Sequence, residues 1–105
     1  MTLSWLCTCW RSRLDDKFPR PKPLPNQLLV KIHAACVNPV DFKMRAYPIN
    51  DWILPKPKVC GTDFAGEVVE LPSDGGECKF KLGDKVFAKA PLLRTEWGSY
   101  AEYIA

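Results

Sequence analysis

Histidine is nearly missing from this chain: His33 is the only one among 105 residues. No serine-hydrolase or papain-like arrangement is visible around it. The six glycines never form G-x-G-x-x-G, so nothing here cradles a pyrophosphate. No apolar run approaches the roughly 18 residues that span a bilayer, so no membrane anchoring is expected. Basic and acidic residues, fifteen and twelve, are interspersed to a net charge of +3. No Lys/Arg stripe alternates with aromatics, so nucleic acid is not an expected partner.

Cysteine is present in an odd number: Cys7, Cys9, Cys36, Cys60 and Cys78. Met1–Trp10 has no basic leader and no clear cleavage site, so it does not read as a secretory signal. The expectation is a cytoplasmic protein with five reduced thiols. Cys7-Thr8-Cys9 has no second pair at finger spacing and is not read as a metal site. Cys36 and Cys60 read as small buried residues rather than nucleophiles. His33 reads as a surface residue, with no serine or cysteine partner suggested beside it.

Residues 1–16 form an atypical segment with no assignable period. Residues 17–26 are a proline-rich lead-in, with Pro19, Pro21, Pro23 and Pro25 at alternate positions favouring an extended path. From 27 to 105 the pattern is one domain. Gln27–Ala35 alternates as a strand, with Val30, Ile32 and Ala34 on one face and Leu29, Lys31 and His33 on the other. Asn38-Pro39 starts a short helix to Ala46, with Asn38 available as cap and Asp41 in the first turn. Tyr47–Lys58 reads as loop. Ala65–Leu71, Lys85–Ala90 and Gly98–Ala105 read as strands, punctuated by turns at 72–76 and 82–84. Short, frequent strands make the expected fold mainly β: an irregular barrel with one or two short helices. Trp52, Phe64, Phe80, Phe87 and Trp97 are expected as core or loop anchors. The final strand stops at Ala105 while still apolar, so the domain is expected to be truncated there.

Three motifs follow one another: Val37-Asn38-Pro39-Val40-Asp41, Gly61-Thr62-Asp63-Phe64-Ala65-Gly66 and Leu82-Gly83-Asp84-Lys85-Val86-Phe87. Their order and spacing over residues 24–105 resemble the GroES-like N-terminal domain of the medium-chain dehydrogenase/reductase superfamily. Within it, the chain is most similar to the zinc-independent quinone-oxidoreductase and enoyl-reductase branch. The resemblance implies NADPH as cofactor, and a quinone, enone or other carbonyl compound as substrate. It implies homodimers among full-length members, and a dinucleotide-binding Rossmann domain absent from this chain. A fragment inactive alone is therefore expected, and a non-enzymatic GroES-like interaction module is the alternative.

Zinc-dependent members place a cysteine where Asn38 stands and His-Glu where Thr62-Asp63 stand. Amide and hydroxyl groups are poor zinc ligands, so no metal is expected. The resemblance assigns Asn38 to catalysis and cofactor contact, Asp41 to cofactor contact, Lys43 and Arg45 to an anionic oxygen or phosphate, and Tyr47 to proton donation or stacking. Read from residue type alone, Asn38 is a helix cap and Asp41 a first-turn acid. Cys36 occupies a position where the family usually carries glycine, which narrows the expected cleft.

Overall fold

The computed structural model describes residues 2–8, 11–46, 52, 58–91 and 98–105; for residues 2–8, 11–13, 45 and 58 the description is of the backbone. Among the described residues, seven strands and one helix follow in the order β1 (Thr2–Thr8), β2 (Arg11–Phe18), β3 (Leu29–Ala35), α1 (Pro39–Ala46), β4 (Lys58–Val59), β5 (Asp63–Glu70), β6 (Lys85–Lys89) and β7 (Tyr103–Ile104). They form a three-stranded sheet, β2-β1-β4, and a four-stranded sheet, β6-β5-β3-β7. The strand pairs among the described residues are antiparallel. The mainly β architecture expected from the strand spacing is what the chain adopts.

The segment without an assignable period holds two strands. β1 pairs with β2 from Thr2↔Phe18 to Thr8↔Arg11, and β1 also takes β4 on its other side. The register shifts once, between Thr2 and Ser4. Phe18, at the end of β2, is buried against Val59, with Ala101 packed beside them.

β3 lies between β5 and β7 in the larger sheet. Its first two residues, Leu29 and Val30, are both buried, although neighbours on a strand ordinarily face opposite ways. A register shift falls between them: Leu29 pairs with Glu70 and Val30 with Val68, so the extra residue, Val69, lies on β5. This corrects the simple alternation. Val30, Ala90 and Ile104 form the second core cluster, with Ile32, Phe64 and Val86 partly buried around it. β3 and β5 approach closely at Gly66: a Cβ there would strike the Lys31 carbonyl and the Val30 side chain.

The lead-in is fastened rather than free. The Pro25 carbonyl accepts from the Ser73 and Asp74 N–H groups at 2.8 and 3.0 Å. Arg20 donates to Glu70 at 2.8 Å and lies over the Tyr103 ring, 4.4 Å from its centre. Three aromatics depart from their expected anchoring role. Trp52 and Phe87 are largely exposed and Phe80 is half-exposed; only Phe64 packs against the core. Trp97 lies outside the described residues.

Cysteine also departs from expectation. Cys60 is buried and disulfide-bonded, whereas Cys36 and Cys78 are free and exposed. The reading of five reduced thiols is corrected at Cys60, which no sequence spacing marked. Cys36 is not the buried residue expected, because it sits just past the end of β3.

Candidate functional site

The two motif turns meet where β3 runs into α1 and β4 runs into β5. The Cys36 N–H donates to the Asp63 carbonyl at 3.1 Å, which fixes the first turn against the second. α1 then begins as its residues require. Pro39 takes the first helical position, where no N–H is needed, and Asp41 occupies the third. The Asp41 carboxylate reaches back to the Asn38 backbone N–H at 2.7 Å, one half of a capping box.

Asp41, not the Asn38 side chain, therefore supplies this cap contact. The Asn38 amide turns instead to the second motif, its Nδ2 donating to Asp63 Oδ2 at 2.7 Å. Because a carboxylate only accepts, this contact fixes which end of the amide is nitrogen, leaving Oδ1 with its acceptor character. Buried Thr62 donates through Oγ1 to Asp41 Oδ1 at 3.3 Å. The positions at which zinc-dependent proteins would carry ligands are thus knitted by hydrogen bonds among an amide, a hydroxyl and two carboxylates. Among the described residues, no group of three or more His, Cys, Asp and Glu gathers as a metal site.

A third stretch of chain completes the network. The Tyr100 hydroxyl donates to Asp41 Oδ2 at 2.8 Å and lies 3.3 Å from the Cys36 carbonyl. The backbone holds it there: Ser99 N–H donates to the Gly61 carbonyl and Tyr100 N–H to the Cys60 carbonyl, at 3.2 and 2.8 Å. Gly61 makes the fit possible. Its φ is +91°, and a Cβ would strike Ser99 Oγ and the Tyr100 ring. The Tyr100 hydroxyl is pushed up to about 12, first by burial, then by the hydrogen bond to Asp41, with Asp41, Cys36 and Asp63 adding repulsion against the phenolate.

Of the residues named from sequence, Asn38 and Asp41 come together here. Lys43 is exposed on α1. The Arg45 side chain and Tyr47 lie outside the described residues. Thr62, Asp63 and Tyr100 were not named as site residues. Thr62 and Asp63 had a signal, since they fill the second ligand turn. Tyr100 had only its place in an apolar strand.

Residues 24–105 match the alcohol dehydrogenase GroES-like domain family. The chain is 37% identical over 89 residues to the mitochondrial NAD(P)H oxidoreductase RTN4IP1 of Dictyostelium discoideum, covering 82% of this chain and 24% of that protein. It is 40% identical over 95 residues to the trans-enoyl reductase RAP2 of Pyricularia oryzae, covering 87% and 25%. The quinone oxidoreductase structure from Coxiella burnetii superposes with a TM-score of 0.77 at 32% identity, covering 98% of this chain and 33% of that one. The chain therefore spans about a quarter of the length of these curated relatives. With the GroES-like match over most of its length and these relatives, the chain belongs to the alcohol dehydrogenase GroES-like domain family, in the quinone-oxidoreductase and enoyl-reductase branch of the medium-chain dehydrogenase/reductase superfamily.

Proposed function

We propose that this chain is the substrate-side domain of a zinc-independent, NADPH-dependent reductase that acts on a quinone or on an alkene activated by a carbonyl. The carrying observation is the Asn38–Asp63 contact at 2.7 Å, an oriented amide at the point where a metal ligand would otherwise stand. The relatives named as NAD(P)H oxidoreductase, trans-enoyl reductase and quinone oxidoreductase support the reaction class. The donor set fits a nicotinamide carboxamide or a substrate carbonyl, because an amide offers both a donor and an acceptor while binding zinc poorly. A bound dihydronicotinamide supplies the hydride. In this reading Asn38 orients the neutral polar group beside the reacting carbon, and Asp41 and Asp63 hold Asn38 in place. Lys43 and Arg45 would meet an anionic oxygen, and Tyr47 would donate a proton or stack.

We place the protein in the cytoplasm and expect homodimers of a longer polypeptide. The 105-residue chain alone is catalytically silent, because it has no pyrophosphate cradle. The test isolates the native polypeptide from its own cells with an antibody against Lys79–Lys89. The expected product is about 30–40 kDa, two ordinary domains. It oxidises NADPH with a quinone or enone, contains no stoichiometric zinc, and loses activity about 100-fold in Asn38→Ala. NADPH turnover by the 105-residue chain would refute its silence.

One observation favours a second reading, a GroES-like interaction module without catalysis. A groove of about 520 Å³ runs over the larger sheet, lined by Val30, Phe64, Phe80, Val86, Phe87 and Ile104 among others. A native product no longer than this chain, soluble and stably bound to another protein, would put that reading ahead.

A further inference from the structure

We propose that Tyr100 is the positioning residue of this site, its hydroxyl clamping the two ends of the turn that presents Asn38. The catalytic consequence rests on the reductase reading above; the geometry does not. One end of the turn is the Cys36 carbonyl, 3.3 Å from the hydroxyl, and the other is Asp41 Oδ2 at 2.8 Å. Both groups accept, and a phenol has one proton to give, so the shorter contact to the carboxylate is the principal one. Asp41 Oδ2 also receives the Asn38 N–H. Tyr100, Asp41 and Asn38 are thus joined through a single oxygen atom. The Asn38 backbone is held by this oxygen, and its side-chain amide by Asp63.

Tyr100 is suited to hold rather than to react. Its proton is directed at Asp41 and is retained far above neutral pH. Its backbone is fixed by Cys60, and its ring fills the space that Gly61 leaves open. The clamp therefore arrives from a segment 59 residues away from Asp41 and couples the end of the larger sheet to the start of α1.

The first arm of the test uses the isotopically labelled 105-residue chain and nuclear magnetic resonance. In Tyr100→Phe, the Asn38 backbone N–H should exchange about tenfold faster or more, as expected when a hydrogen bond to a charged group loses its support. The Asn38 side-chain amide pair should shift, while the Val68 N–H keeps its protection. Asp41→Asn should move the same signals, and the double variant should add little. Unmoved Asn38 signals, additive effects, or loss of Val68 protection in Tyr100→Phe would each overturn the proposal, the last by making Tyr100 a residue of the core.

The second arm uses the native polypeptide with NADPH and a quinone. Tyr100→Phe should lower kcat about tenfold and leave KM for both substrates nearly unchanged. A change confined to KM would overturn the catalytic part. Absence of hydride transfer in the wild type refutes the reductase reading and with it the catalytic part, while the first arm still decides whether Tyr100 positions Asn38.

Discussion

Asp41 accepts from the Asn38 N–H, the Thr62 hydroxyl and the Tyr100 hydroxyl, which come from three separate stretches of chain. A phenol ordinarily titrates near 10, and Tyr100 is held to about 12. Between those values the unfolded chain has released a proton that the native state keeps, so stability falls as pH rises. Below pH 10 the contribution is complete. Urea midpoints should therefore drop more steeply for wild type than for Tyr100→Phe between pH 9 and 11.5; parallel curves would show that the phenol is not held. Gly61→Ala should cost about 1–3 kcal/mol, from a strained φ and a clash with Ser99 and Tyr100, read as a lower unfolding midpoint. Asn38 and Asp41 were legible in the sequence because a helix start confines them to a few positions. Tyr100 was not, because nothing local to residues 98–105 indicates that they return to a turn 59 residues earlier.

The strands show where pattern reading succeeds and fails. β5 and β6 were legible because their turns are punctuated by glycine and aspartate: Asp84 accepts from the Lys81 N–H at 2.9 Å, closing the turn before β6. β1 and β2 were not, since no apolar alternation or turn residue marks their hairpin, and β1 is paired on its other side by β4, more than fifty residues on in sequence. β3 was legible in its facing at Val30 and Ile32, which share one core cluster, but not in the burial of Leu29 beside them, where the partner strand β5 carries an extra residue. Leu29 is fully buried, so Leu29→Ala should cost about 2–5 kcal/mol by denaturant unfolding. A cost under about 1 kcal/mol would mean that the bulge lets the site collapse. α1 owes its start to Pro39 and Asp41 rather than to an apolar stripe, which is why it was legible from its first residues.

At the scale of the molecule, the two core clusters among the described residues are small. The apolar groove lies on one face of β6, and a second, of about 500 Å³, lies against His33, Glu67 and Phe87. Phe87 lines both, exposed at 88%. Phe87→Lys should leave the unfolding free energy within about 0.5 kcal/mol while reducing self-association in sedimentation. A large loss of stability would show that Phe87 is packed in solution. The sheet order carries a further consequence. β3 pairs with β7 through Val30↔Ile104, so a strand synthesised early waits for one synthesised much later. Such a topology folds slowly, in milliseconds to seconds rather than microseconds. On the ribosome, β3 and β5 can join first, but β7 can pair only after Ile104 has cleared the exit tunnel. The turn that carries Asn38 is thus made well before the tyrosine that grips it, and the site takes shape only once both have emerged.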